Sequence, residues 1–328
     1  MTITPQILRT LLPSARVELI TEESCERVDE LSVAENKAIW FVKQGEIVFI
    51  CPVVIDDSPR RAQPGDFFIN ALPQGTFGKF QNEIRVSAES ESALTAEQTN
   101  ESVILDSRYI LKWQLTLSDT QSHIKEQVLQ TQGFPLTPKS HGYLTYNNQL
   151  IASLYDYIPN TTDGWTWCIQ KAKENDTSDW VSQLARITSA MHKAFEGTGF
   201  AHGDLHVGQF LNRDDEFYVI DFEANPISTQ ESAVQDVASL MCSFIHVGAV
   251  IDKKYPVPHD NTEWIRRTLH KFQYEYEENT MHLLEPKELR ELMLEHEEVE
   301  AEYAEKYLPH WKYVAEFGKE FIQGHING

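Results

Sequence analysis

Short apolar runs separated by polar turns dominate the first half of the chain. AIWFV at 38–42 and IVFICPVVI at 47–55 flank a break that contains Gly45, a pattern typical of a β-hairpin. FFINAL at 67–72 and the alternating KFQNEIRVSAE at 79–89 predict another pair of strands. We therefore expect residues 1–90 to form a small β-rich module.

Two further hairpins are predicted downstream. SVIL and RYILKWQL are separated by Asp106 and Ser107, and YLTY and QLIASLYDYI are separated by Asn147 and Asn148. The intervening residues 121–131 have a helical pattern. This part of the chain predicts a second sheet with one helix.

Beyond residue 160 the apolar positions take helical spacing. Trp180, Leu184, Ile187 and Met191 define one buried helix face. Further helices are predicted over 231–249, 261–280 and 286–307, and a short strand over 217–222. The pattern as a whole predicts a two-lobed α+β protein in three segments: a β-rich module over 1–90, an N-lobe over 91–160 and a helical C-lobe over 161–328.

Charge and composition narrow the class of partner. The 328 residues carry 50 Asp and Glu against 28 Lys and Arg, a formal net charge of −22, which argues against binding to nucleic acid. The four cysteines have no metal-type spacing. The N-terminus has no signal-peptide pattern, and no stretch approaches the ~20 apolar residues of a membrane span. We expect a cytoplasmic protein that does not contact membranes.

The strongest chemical signal is HGDLHVGQFLN at 202–212, followed by Asp221 at the end of an apolar run. Two carboxylates and an amide in this order are the groups that metal-assisted phosphoryl transfer needs. Asp204 would accept the proton of an attacking hydroxyl. Asp221 and Gln209 would hold Mg²⁺, which prefers oxygen ligands. His202 and His206 are expected to make structural hydrogen bonds.

These motifs resemble those of the aminoglycoside-phosphotransferase-like kinases, whose pattern is HGDxHxxN followed by IDW or IDF. Gln209 in place of Asn, together with Glu223 and Pro226, is similar to the maltokinase and glucosamine kinase branch. Three further stretches are similar as well: 97–113, 158–165 and 236–244. The resemblance implies a protein-kinase-like fold with a small β-rich cap, and ATP and Mg²⁺ as cofactors.

The resemblance also implies roles for single residues on the nucleotide side. Lys112 would contact the ATP phosphates and be held by Glu126. Asp236 would support the catalytic loop from the start of a helix, and Glu223 would join the metal ligands. The remaining implied contacts are Gln98 to Ser102 over the phosphates, and Asp156, Tyr157 and Ile158 as the hinge that meets adenine.

The acceptor residues are less sharply indicated. Twelve glutamates lie between Glu275 and Glu305, a pattern usual for a solvated helix face. The order of Glu300, Tyr303 and Trp311 is loosely similar to the ending of maltokinases, in which carboxylates bind sugar hydroxyls or amines and an aromatic ring stacks on a pyranose. His206 and Asp204 complete this tentative acceptor set.

The sequence therefore predicts a phosphotransferase that moves the γ-phosphate of ATP to a hydroxyl of a small sugar, of maltose or amino-sugar type. Two alternatives stay open. One is an aminoglycoside- or choline-type kinase, whose cationic acceptor an acidic lobe would attract. The other is a pseudokinase-like binding module, against which the presence of Lys112, Asp204, Gln209 and Asp221 argues.

Overall fold

The structure is a computed structural model that describes residues 3–13, 17, 19–94, 101–118, 121–223 and 232–326. The chain forms two compact units. The first is Met1–His123 with Lys139–Pro159, and the second is Ile124–Pro138 with Asn160–Gly328. The predicted division into three segments, at residues 90 and 160, stays a prediction. The two compact units differ from it in that Ile124–Pro138 belongs to the second unit.

The first unit is built mainly from strands. Its described elements are α1 (Pro5–Leu11), β1 (Glu26–Ala34), β2 (Lys37–Gln44), β3 (Ile47–Ile55), β4 (Pro59–Arg61), β5 (Gly75–Phe77), β6 (Phe80–Asn82), β7 (Glu91–Ala93), β8 (Glu101–Leu105), β9 (Tyr109–Trp113), β10 (Ser140–Tyr146) and β11 (Gln149–Asp156). A four-stranded sheet has the order β1-β2-β3-β4, and a seven-stranded sheet has the order β5-β6-β10-β11-β9-β8-β7.

The three hairpins expected from polar breaks are confirmed, and their turns explain why. Asp106 and Ser107 adopt φ of 51° and 52° between β8 and β9, while Asn147 and Asn148 adopt 49° and 65° between β10 and β11. Two consecutive left-handed residues give the turn twist that matches a two-residue hairpin, and Asn and Asp tolerate this conformation best.

The strand predicted over FFINAL is wrong. Residues Phe68–Ala71 form a short 3₁₀ helix, entered through Phe67 in the left-handed region at φ 49°. The Asn70 side chain bridges to the backbone of Ala88 in both directions, at 2.8 Å each. The buried rings and side chains of this segment fill the core, so the apolar run records burial rather than extended backbone.

The second unit is mainly helical. Its described elements are α2 (Ser122–Thr131), β12 (Thr162–Asp163), α3 (Gly164–Lys173), α4 (Asp179–Ala194), β13 (Phe210–Arg213), β14 (Glu216–Val219), α5 (Ala233–Lys254), α6 (Asn261–Thr280), α7 (Pro286–Tyr307) and α8 (Lys312–His325), with α2 beginning two residues before the unit does. The predicted helices over 121–131, 261–280 and 286–307 are confirmed. The three strands form a small sheet, β12-β13-β14.

Helix α5 corrects one expectation from the sequence. It is long and apolar enough, by length and composition alone, to cross a membrane, although no such stretch was expected. Its side chains are almost all buried, and it packs against α3, α6, α7 and α8. This burial makes α5 the core helix of the second unit, around which the site is assembled.

Helix α3 begins against the loop that precedes β13. Gly164 lies so close to this loop that a Cβ atom there would be 2.1 Å from the carbonyl oxygen of Val207. Only glycine permits this approach, and the contact fixes the position of the loop relative to α3.

We expect Gly164→Ala to lower the free energy of unfolding by about 1–3 kcal/mol, because the helix and the loop must separate. Gly324→Ala is the control, since its Cβ would meet nothing within 4 Å. It should leave stability unchanged or raise it by less than ~1 kcal/mol. Urea unfolding of both variants measures the difference, and equal effects would contradict the prediction.

Candidate active site

The HGDLHVGQ segment over 202–209 and the end of β14 are joined by two hydrogen bonds. The His202 ring Nε2 lies 3.0 Å from the Ile220 carbonyl oxygen, and the Ile220 N–H donates to the Gln209 carbonyl oxygen at 2.9 Å. These bonds bring Asp204, Gln209 and Asp221 into one region of the second unit. All three side chains are half-buried. The structure thus gathers the residues that the sequence separates by up to seventeen positions.

The backbone at two of these positions is unusual. Gly203 has φ 93° and Asp221 has φ 62°, the left-handed region. Glycine adopts it freely, and Asp is one of the few other residue types that tolerate it. Constrained backbone of this kind is concentrated at active sites, where it fixes the direction of a side chain.

Asp236, in the first turn of α5, holds the loop. Its carboxylate accepts from the N–H groups of His202 at 2.7 Å and Gly203 at 2.9 Å, and from the His192 ring at 2.9 Å. Burial raises the pKa of Asp236, but the His192 hydrogen bond and charge outweigh it, and the net pKa is lowered. Asp236 is therefore a buried carboxylate with its lone pairs satisfied, as the predicted supporting role requires.

Further residues that the sequence did not single out also hold the loop. His192 Nδ1 is 2.8 Å from the Tyr276 hydroxyl, which fixes the ring that faces Asp236. The Val207 N–H donates to Ser243 Oγ at 3.1 Å. Ser243 lies on α5 about two turns after Asp236. The seven-residue spacing of Asp236 and Ser243 was the available signal, because it places both on one side of a helix.

The two histidines of the motif make structural hydrogen bonds. His202 contacts the Ile220 carbonyl through Nε2, and its Nδ1 lies 3.4 Å from the Asp204 amide nitrogen. Burial lowers the pKa of His202 to about 4, so the ring is neutral near pH 7. His206 accepts from the Gly208 N–H at 3.1 Å through Nδ1. A neutral His202 does not exchange protons at physiological pH, which leaves Asp204 as the candidate base.

Glu300, on α7, is brought close to Asp204. Burial raises the pKa of Glu300, the charge of His246 lowers it, and the charges of Asp204 and Glu297 raise it, with a net increase. Glu300 therefore lies within electrostatic range of the candidate base although the two residues are far apart in sequence. A partly buried carboxylate whose pKa is raised by a second carboxylate is stabilised by a nearby positive charge.

A buried ion pair lies one helical turn before Glu300. His246 Nε2 is 2.9 Å from both oxygens of Glu297, which is fully buried. Burial lowers the pKa of His246, but the Glu297 carboxylate overcomes this and the net pKa is raised. Gly318 on α8 leaves room for the carboxylate, because a Cβ there would be 2.3 Å from Glu297 Oε1. This pair joins α5, α7 and α8 beside Glu300.

The other tentative acceptor residues lie nearby in sequence. Tyr303 is half-buried on α7, and Trp311 ends a short 3₁₀ helix over Pro309–Trp311. The Trp311 ring packs against Trp165, with centroids 5.6 Å apart, and Lys254 Nζ is 5.8 Å from its centroid. The ring therefore has aromatic and cationic neighbours, and its stacking on a sugar stays a prediction.

On the nucleotide side, Lys112 lies in β9 of the first unit. It is half-buried and faces Ser102 of β8 and Ser153 of β11 across the seven-stranded sheet. Gln98 lies outside the described residues. Glu126 is buried in α2, which belongs to the second unit, and its pairing with Lys112 stays a prediction.

The proposed hinge extends from the end of β11. The N–H groups of Asp156 and Tyr157 donate to the carbonyl oxygens of Lys139 and Arg108, at 2.9 and 2.8 Å. His141 Nε2 lies 2.6 Å from the Asp156 carboxylate. Because two N–H groups are engaged, adenine recognition by this segment would fall to its carbonyl groups and to the Ile158 N–H.

The donor set suits Mg²⁺. Asp221 and Gln209 offer a carboxylate and an amide oxygen, and a backbone hydrogen bond from Ile220 to Gln209 joins their two segments. Glu223 follows two residues later. In the part of the chain that the structure describes, no group of three or more His, Cys, Asp or Glu side chains is arranged as a metal site. A magnesium ion needs only one or two protein ligands when phosphates and water supply the others.

Known glucosamine kinases are similar to this chain in sequence and in structure. No protein-family model matches the chain. It is 25% identical to a glucosamine kinase of Streptacidiphilus jiangxiensis, with 87% of this chain and 88% of the relative covered. A glucosamine kinase of Mycolicibacterium smegmatis is also 25% identical, with 78% and 88% covered. In solved structures, crystal form B of a glucosamine kinase has a TM-score of 0.74 at 23% identity, with 94% of this chain and 95% of that one covered.

The chain is therefore similar to known kinases in sequence and in fold. Crystal form A of a glucosamine kinase gives a similar result, with a TM-score of 0.72 at 22% identity and 96% of each chain covered. At these identities the solved structures establish the fold, and they confirm the predicted α+β protein-kinase-like architecture. The predicted class of enzyme, a small-molecule kinase, agrees with the relatives found by sequence.

The shifted histidines make stability depend on pH. The pKa of His202 is about 4 in the folded chain against 6.5 when unperturbed, so between these values the unfolded chain binds the proton more tightly. Stability is retained above the unfolded pKa and falls as pH drops towards the folded one. We expect His202 alone to remove about 2 kcal/mol of unfolding free energy between pH 7 and pH 5.

Urea unfolding at both pH values measures this loss, and His202→Gln should reduce it. An equal loss in wild type and variant would contradict the assignment. His246 has the opposite sign, because its pKa is raised by Glu297. Its contribution is fully present below the unfolded pKa and is lost as pH rises through the folded one.

Proposed function

We propose that this protein transfers the γ-phosphate of ATP to a hydroxyl group of glucosamine or a closely related amino sugar. The observation that carries the proposal is the loop geometry, in which Asp204, Gln209 and Asp221 are gathered by hydrogen bonds with Glu300 in electrostatic range of Asp204. The two glucosamine kinases that match over most of their length support the same reaction class.

In this proposal Asp204 is the base. Its carboxylate accepts the proton of the acceptor hydroxyl, the hydroxyl oxygen forms a bond to the γ-phosphorus, and the bond from that phosphorus to the bridging oxygen of ADP breaks with its electron pair. Asp236, through the His202 and Gly203 N–H groups, keeps the loop in place for this step. Most of the rate enhancement comes from positioning and charge compensation.

The phosphates need local positive charge in a protein of net charge −22. Lys112 would contribute a cation, and Asp221 with Gln209 would hold Mg²⁺, with Glu223 in support. The metal supplies neutralisation of the phosphate oxygens when bound. The residues of the chain bind and orient the substrates around that charge.

The amine of the acceptor is the feature that Glu300 favours. A partly buried carboxylate near a second carboxylate is destabilised by burial and by like charge, and an ammonium group between them relieves both. A neutral disaccharide offers hydroxyl groups only and brings no positive charge to Glu300. We therefore place an amino sugar ahead of maltose, and the same reasoning extends to larger aminoglycosides and choline.

Replacement of Asp204 by Asn tests the base. We expect kcat for ADP release with glucosamine to fall at least about 100-fold, since general-base catalysis contributes on this scale. The affinity for Mg²⁺·ATP, followed by the shift in melting temperature, should stay within about threefold of wild type. Near-wild-type turnover would refute the mechanism, and no thermal shift with wild type at millimolar nucleotide would instead favour the binding-module alternative.

Replacement of Glu300 by Gln tests the acceptor. We expect KM for glucosamine to rise about tenfold or more, the loss of one charge-assisted contact, with little change for a neutral sugar. Glu298→Gln on the exposed side of α7 is the matched control. ADP release is measured with glucosamine, glucose, maltose, choline and an aminoglycoside. Turnover with maltose alone, or with aminoglycosides alone, would overturn the amino-sugar assignment.

A further inference from the structure

One buried lysine is not accounted for by the predicted site. Lys125, on α2, is 2% exposed and is among the largest fully buried side chains of the described chain. Burial of an ammonium group is costly unless it is compensated by hydrogen bonds. Its Nζ donates to the carbonyl oxygen of His202 at 2.9 Å, across 77 positions of sequence. The lysine therefore ends on the backbone of the HGD segment.

The acceptor carbonyl shares its peptide unit with another anchored atom. The His202 carbonyl and the Gly203 N–H are the two ends of one peptide group. The carbonyl accepts from Lys125, and the N–H donates to Asp236 Oδ1 at 2.9 Å. A single peptide is thus held by a cation at its oxygen and by an anion at its nitrogen.

The His202–Gly203 peptide could rotate if it were not held at both ends. Gly203, at φ 93°, has no Cβ to oppose rotation of the peptide that precedes it. A rotation by half a turn would exchange the carbonyl and the N–H, and the next residue along is Asp204. Facing the carbonyl towards Asp236 and the N–H towards Lys125 would oppose like charges at both ends.

We propose that Lys125 is a positioning residue whose ammonium group, together with Asp236, prevents rotation of the His202–Gly203 peptide and thereby sets the direction of Asp204. Its effect on catalysis rests on the function proposed above. The orientation of the peptide itself does not, and can be measured without any acceptor.

Lys125→Met keeps the length and removes the charged donor. We expect kcat to fall about 10- to 100-fold, because a misplaced base loses catalysis on this scale, while KM for ATP and for glucosamine stays within about threefold. Lys171→Met is the control, since Lys171 on α3 is a half-buried lysine whose ion-pair partners, Asp176 at 2.8 Å and Glu174 at 3.7 Å, lie outside the HGD segment. That variant should keep wild-type kcat.

A spectroscopic readout separates positioning from general destabilisation. Labelling with ¹³C′-histidine and ¹⁵N-glycine selects the two His–Gly peptides of the sequence, His141–Gly142 and His202–Gly203. In Lys125→Met the Gly203 signal should shift or split as the peptide samples both orientations. The Gly142 signal, an internal reference, should not move, and neither signal should move in Lys171→Met.

The outcomes are decisive in each direction. A kcat within about threefold of wild type, or an unmoved Gly203 signal, overturns the proposal. If Lys125→Met and Lys125→Gln both fail to fold, the ammonium is a requirement of the whole fold, and the positioning role is likewise overturned. If wild type transfers no phosphate to glucosamine but the Gly203 signal responds to Lys125→Met, the proposed function fails while the peptide lock stands.

Discussion

The buried carboxylate of Asp236 is the interaction on which the site depends. An isolated charge in a protein interior is strongly unfavourable, and this one is tolerated because two backbone N–H groups and the His192 ring surround it. The same bonds that compensate the charge fix the HGD segment. The same hydrogen bonds therefore stabilise the start of α5 and fix the position of Asp204, so that a substitution of Asp236 affects both.

Charge is distributed unevenly around this anchor. Near Asp236 and Lys125, opposite charges act on backbone atoms and hold them. Near Glu300, the charges of Asp204 and Glu297 raise the pKa of the carboxyl and the charge of His246 lowers it. The first arrangement suits a rigid catalytic loop. The second suits a pocket that gains stability when a cation enters it.

The sequence was sufficient for elements whose signal is local. Hairpin turns at Asn147 and Asn148 and the helix faces of α6 and α7 depend on neighbouring residues, and they were predicted with their bounds nearly right. The FFINAL segment failed because burial, which is a tertiary property, produced a strand-like apolar run. A periodicity rule cannot separate these two causes.

The candidate site shows the same division. HGDLH and IDFE are compact motifs, so Asp204, Gln209 and Asp221 were identified from their spacing. Lys125 carries no such signal, because its partner is a backbone carbonyl 77 residues away and a backbone atom cannot be identified from residue type. His246 and Glu297 were missed for a related reason, since their pairing arises only when α5 and α7 pack.

The course of the chain between the two units has a consequence for how the protein can be divided. Residues Ile124–Pro138 leave the first unit, contribute Leu129 and Phe134 to the core of the second, and return at Lys139 before the chain crosses again after Pro159. The Leu136 carbonyl also accepts from the Val219 N–H at 2.8 Å, beside the end of β14. The helical unit is consequently a discontinuous domain. A fragment beginning at Asn160 would lack Leu129 and Phe134 and would expose the apolar surface on which they pack, so the helical unit cannot be separated from the chain by a cut at a single junction.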